Sequence, residues 1–167
     1  MKRNNNKGFS MIELIITIAI MAILTGSFVG AAGYLKYANA KAGAKKINTE
    51  LSELRIDSMS KMKTPYMYLY NIDGSTYMKV VTGDNADKAA IGGVLDKNTT
   101  KIGNSQVKVL CDGTQIADGS AIKISMDKST GAFKSTISKI EVASIDGKTS
   151  YVIKLVQSTG RHYIEGE

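Results

Sequence analysis

Hydrophobic and polar positions are distributed along this chain in three successive patterns. From Leu14 to Leu35 there is no charged residue, and Ile, Leu, Met, Phe, Val and Ala dominate. At about 1.5 Å per helical residue this stretch spans roughly 33 Å, close to the ~30 Å hydrocarbon thickness of a bilayer, which predicts a membrane-spanning helix. Next, Ala38 and Ala42, then Ile47, Leu51 and Leu54, recur every three or four positions among Lys45, Lys46, Glu50, Glu53 and Asp57. That spacing is the stripe of an amphipathic helix. Met59 and Met62 extend it to Thr64-Pro65, where proline restricts its predecessor. Nothing between the two patterns stops a helix, so one helix is expected from about residue 10 to about 63, near 80 Å long.

From Tyr66 onward the period becomes two. Ile122, Ile124 and Met126 alternate with Lys123, Ser125 and Asp127, and Val107, Val109 and Cys111 alternate with polar neighbours. Asp-Gly pairs at 73–74, 112–113, 118–119 and 146–147 punctuate these runs as hairpin-turn dipeptides. The strongest hairpin joins Ile140–Ile145 to Ser150–Gln157. Tyr66–Tyr70 reads as a strand lying against the helix, and residues 84–96 are ambiguous. An antiparallel sheet must cover its apolar face, and the amphipathic half of the helix is the available partner. The expected fold class is α+β: a long N-terminal α-helix, transmembrane in its first half and amphipathic in its second, packed on an antiparallel β-sheet head.

Charge sharpens this division. The net charge of +7 over 167 residues comprises +3 from Lys2, Arg3 and Lys7, −1 from Glu13, +4 from residues 34–63 and +1 from residues 64–167. A nearly neutral head argues against a broad nucleic-acid-binding face. A single cysteine, Cys111, excludes an internal disulfide or a cysteine zinc cluster, and a single histidine, His162, leaves no His-rich metal site. Cys111 reads as a buried small hydrophobe and His162 as a surface residue. The Asp-Gly aspartates match no calcium-loop signature, so they read as turn formers. Lys36, Lys41, Lys45 and Lys46 could meet anionic headgroups, acidic groups of neighbouring chains, or water alone. No cofactor is expected, and no triad, metal cluster or phosphate loop suggests an enzyme.

The amino terminus carries the most specific signal. A basic start before an apolar run fits an ordinary secretory signal peptide cut near residues 30–33, or a simple anchor. Two features resist both readings. Glu13 stands at the edge of the apolar run, where an ion is costly without a partner. Gly8-Phe9 immediately precedes that run, where cleavage would leave the apolar segment in place.

Lys7-Gly8-Phe9-Ser10-Met11-Ile12-Glu13, followed by the apolar run, resembles the class III signal of type IV pilins and pseudopilins. The resemblance implies a basic leader, residues 1–8, removed after Gly8 by prepilin peptidase, which then N-methylates Phe9. It assigns Glu13 to subunit assembly, paired with the Phe9 ammonium of a neighbouring copy. It further implies an assembly helix at 9–35, its amphipathic continuation at 36–63 and a β-rich head at 64–167. By the same resemblance the chain is a major pilus subunit, a single-pass prepilin of the cytoplasmic membrane that becomes an extracellular homopolymer serving adhesion, motility or biofilm formation. Its partners would be other pilin subunits, prepilin peptidase, an assembly ATPase and a platform membrane protein. A minor or competence pilin, a type II secretion pseudopilin, and a secreted binding domain with an ordinary signal peptide are the alternatives. Two departures stand out. Many pilins have proline where this chain has Gly30, and the lone cysteine resembles heads of Gram-positive pilins rather than disulfide-closed ones.

Overall fold

A computed structural model describes residues 9–83, 99–103 and 106–165, with the backbone alone for 27–32. The leader, residues 1–8, and the ambiguous segment 84–96 lie outside the described residues. The chain divides into two units, Met1–Leu35 and Lys36–Glu167.

One α-helix, α1, runs from Met11 to Ser60. It ends three residues before the expected position 63. Lys61 N–H still donates to the Asp57 carbonyl, but Met62 is 94% exposed, so no apolar contact holds a further turn before the proline. Among the described residues no helix is long and apolar enough to cross a membrane. The expected span from Leu14 to Leu35 includes 27–32, whose side chains lie outside the described residues. Met11–Gly26 by itself gives roughly 24 Å of helix, short of the ~30 Å required. The transmembrane expectation is therefore not carried by the described residues.

Within the second unit, α1 buries Ala40, Gly43, Ala44, Ile47, Leu51, Leu54 and Ser58, the three-and-four spacing of a single helical face. It packs on two antiparallel sheets, where sequence periodicity suggested one. The first has the order β3-β2-β1-β6 (Thr99–Lys101, Ser75–Thr82, Pro65–Ile72, Ala121–Ser125). The second has the order β5-β4-β7-β8-β9 (Thr114–Gln115, Val107–Cys111, Lys139–Ser144, Ser150–Val156, Arg161–Ile164). One core joins the helix to both: Met67, Leu69 and Ile124 from the first sheet, and Val109, Val142, Ile153 and Leu155 from the second. Gly43 lies where they meet, since a Cβ there would come within 3.2 Å of both Ile102 and Val142.

Strand β1 departs from simple alternation because both its faces are covered. Met67 and Leu69 join the core with α1, whereas Tyr68 and Tyr70 turn to the opposite face, with Tyr66, Ile72 and Tyr77 packed against them. The strand thus lies against the helix as expected, through Met67 and Leu69, while its tyrosines occupy the other side of the sheet. The β7–β8 hairpin forms as expected, with Ile140 opposite Ile153 and Val142 opposite Tyr151. At Asp73-Gly74 and Asp112-Gly113 both residues adopt positive φ, the conformation a tight two-residue hairpin requires.

The last loop before β9 holds the closest backbone approach. A Cβ on Gly160 would lie 1.7 Å from the Gly131 carbonyl oxygen, and its φ of +66° already disfavours a side chain. Gly74 has a similar φ of +68° but open space around it. Gly160→Ala should cost roughly 2–4 kcal/mol and Gly74→Ala about 1 kcal/mol, measured by thermal unfolding of the full chain in detergent.

Candidate functional site

The Met1–Leu35 unit carries the residues singled out by sequence. Phe9 is 79% exposed and Ser10 precedes the first turn of α1. A helix start leaves its first amide hydrogens without carbonyl partners. Here Ser10 Oγ accepts from the Glu13 amide at 3.3 Å, and Glu13 Oε2 accepts from the Ser10 amide at 3.4 Å. This reciprocal arrangement is a capping box, the Ser-x-x-Glu pattern that two separate orphan donors satisfy together. The Ser10 carbonyl also accepts from the amides of Glu13 and Leu14, at 3.1 and 3.2 Å. Ser10 was legible in the sequence as part of that pattern, yet its role was missed beside the more prominent Gly8-Phe9. Both side-chain bonds are long against the usual 2.7–3.2 Å. Glu13 is exposed, so its carboxylate is held loosely and open to a cation.

After the cap, apolar side chains point outward all around the helix. Ile12, Leu14, Ile15, Ile16, Ile18, Met21, Ile23 and Leu24 are each more than half exposed. The two hydroxyls in this stretch are spent on the helix itself: Thr17 Oγ1 donates to the Leu14 carbonyl at 2.9 Å, and Thr25 Oγ1 donates to the Met21 carbonyl. Such bonds let threonine sit on an apolar surface without an unsatisfied donor. A helix that is apolar all round needs a nonaqueous surrounding, whether lipid or other helices. Of the residues expected at the cleavage site, Phe9 is described and Gly8 is not, and Glu13, expected to act in assembly, is described.

The second unit accounts for the remaining candidates. Cys111 is buried, and burial, reinforced by Asp112, pushes its thiol up to about 12. His162 is not the surface residue expected. Its strand turns it toward α1, with Nε2 2.9 Å from Ser52 Oγ and 3.1 Å from the Asn48 carbonyl, and Nδ1 3.2 Å from the Gly160 carbonyl. Phe133 packs against its ring. The turn aspartates are committed to local bonds. Asp112 accepts from the Ser138 hydroxyl and from the Ser138 and Lys139 amides, which lowers its carboxyl below the usual range. Asp146 is lowered by the Ser144 hydroxyl, the Lys148 amide and Lys36, which lies 3.1 Å away. Among the described residues, no group of three or more His, Cys, Asp or Glu side chains could hold a metal ion.

Ser10→Ala removes half of the capping box and should destabilise the first turn by about 1 kcal/mol, read as roughly fivefold faster amide exchange over residues 12–14, with Ser10→Asp restoring protection. Residues 3–29 match the family model described as the prokaryotic N-terminal methylation motif. Searches of curated proteins and of solved structures give no match. The chain thus carries a type IV pilin-like signal, and the Ser10–Glu13 cap with the first part of α1, up to residue 29, lies inside the matched stretch.

Proposed function

We propose that this chain is the precursor of a major type IV pilin, a structural subunit and not an enzyme. The observation that carries the reading is the methylation motif on residues 3–29, continuous with a helix whose apolar side chains are exposed on every side. Prepilin peptidase cuts between Gly8 and Phe9 and methylates the new amino terminus. The apolar segment holds the precursor in the cytoplasmic membrane, and an assembly ATPase with a platform protein drives it into a homopolymer outside the cell.

The physics of the amino terminus supports this. Cleavage converts the Phe9 amide nitrogen into an ammonium, and methylation keeps that charge while reducing its donor hydrogens. An ammonium or a carboxylate alone inside an apolar bundle is costly, whereas the two together offset much of each other's desolvation. Glu13 suits this pairing because its bond within its own cap is long and its carboxylate is exposed. Pairing Glu13 of one copy with the Phe9 ammonium of the next fixes the axial register of neighbouring helices. Apolar contact supplies attraction without direction; the ion pair supplies the direction.

Amino-terminal sequencing and intact mass of the chain recovered from cells test this reading. N-methyl-phenylalanine at position 9 is expected. A mature chain starting near residue 33 would instead establish an ordinary signal peptide and a secreted domain. Abundance in sheared surface filaments separates a major subunit from a minor pilin or pseudopilin, which share the motif. Glu13→Ala should leave Gly8-Phe9 cleavage intact and reduce filament yield, measured by shearing and quantifying the filaments; normal yield from that variant rules out the role given to Glu13.

A further inference from the structure

One turn of the Lys36–Glu167 unit is tied to the point where the apolar run ends. The uncharged run closes at Leu35, and Lys36 follows about 1.5 Å further along α1. Lys36 Nζ lies 3.1 Å from Asp146 Oδ2, in the turn that joins β7 to β8. One residue further on, the Tyr37 ring packs edge-on against Tyr151, the second residue of β8. The turn therefore sits within one lysine side chain's reach of the place where the uncharged segment gives way to charge.

The turn is firmly held. Asp146 accepts from the Ser144 hydroxyl, the Lys148 amide and the Lys36 ammonium. The Gly147 amide donates to the Ser144 carbonyl at 2.9 Å, and the Ile145 amide donates to the Gln106 carbonyl at 2.8 Å. On this fixed backbone the Ile145 side chain is 58% exposed and belongs to neither core cluster. Asp146 is the one acid between Ala143 and Ser150, and Lys36 neutralises it. Lys148 is exposed and forms no ion pair among the described residues. Tyr34 and Tyr37 bracket Lys36 in the sequence. A single exposed isoleucine needs no explanation. Joined to lysine and tyrosine at the end of an apolar helix, it matches the surface found at headgroup depth, where rings and lysine stems lie among lipids and the charge reaches phosphate.

We propose that the β7–β8 turn is a lipid contact of the membrane-held precursor: Ile145 inserts at the boundary between headgroups and acyl chains, and Lys148 binds a lipid phosphate. The contact rests on the pilin reading, which places the Leu14–Leu35 run in the bilayer. Covalent continuity selects the occupant. A bilayer surrounding that run ends beside Lys36, and Lys36 is bonded to the turn. The head thereby gains a second and weaker attachment to the membrane, one that is released when the helix leaves lipid for the filament.

Fluorescence quenching in the full chain tests this. The chain has no tryptophan, so Ile145→Trp introduces a single reporter. Val156→Trp places the same reporter at the far end of β8, roughly 20 Å from Ser150, at a position that is 37% exposed. Each variant is reconstituted in vesicles of equal parts phosphatidylcholine and phosphatidylglycerol brominated in the upper acyl chain. Quenching at position 145 should be about threefold or more that at position 156. Adding Lys148→Glu to Ile145→Trp should reduce the quenching about twofold. Equal quenching at the two positions, or no change with Lys148→Glu, overturns the contact while leaving the pilin reading intact, provided the chain floats with the vesicles. A chain that does not float with them overturns the membrane-held precursor and this contact together.

Discussion

An apolar surface must be covered, and in this protein that requirement is met in one part of a helix and left open in another. Around Ala44, Ile47, Leu51 and Leu54, two sheets supply the cover. Around Ile12 to Leu24 no side chain among the described residues does so. Hydrophobic burial favours covering that surface, but it does not choose between lipid and a like helix, because either environment removes the same area from water. A segment of this composition can therefore be transferred from one to the other with little change in its own hydration. The selectivity has to come from polar groups, and Ser10 and Glu13 are the ones placed at its edge.

The globular part is built around close approaches that leave little room for substitution. Gly43 lets α1 reach Ile102 and Val142 together, and Gly131 and Gly160 bring two loops against Arg55. His162 ties the last strand to the helix through Asn48 and Ser52. With no disulfide available to a chain having one cysteine, cohesion depends on this packing and on turns whose aspartates are fixed by neighbouring hydroxyls and amides.

Much of the fold was legible because period and punctuation are local properties. The stripe from Ile47 to Leu54, the alternation in Val107–Cys111 and the Asp146-Gly147 hairpin all appear where the residues placed them. The division into two sheets was not legible, since strand pairing across long separations, such as β1 with β6, leaves no mark in either segment. Which side of β1 meets the helix was not legible, because both faces of that strand are covered and the usual contrast of polar and apolar is missing. His162 was misplaced for a related reason: its flanking Arg161 and Tyr163 suggest exposure, and only pairing with β8 shows that the residue between them turns inward. At the amino terminus, Gly8, Phe9 and Glu13 were identified by motif, while the cap formed by Ser10 required seeing which hydroxyl met which amide.

The buried thiol has a practical consequence. Cys111 is the only cysteine in the chain, it is 6% exposed, and its ionisation is pushed up to about 12. Maleimides and other electrophiles react with thiolate, so near neutral pH the native side chain is silent toward them. A cysteine introduced at any solvent-facing position can carry a fluorophore or spin label on the otherwise unaltered sequence, so that subunit exchange and spacing become directly observable without first removing the native sulfur.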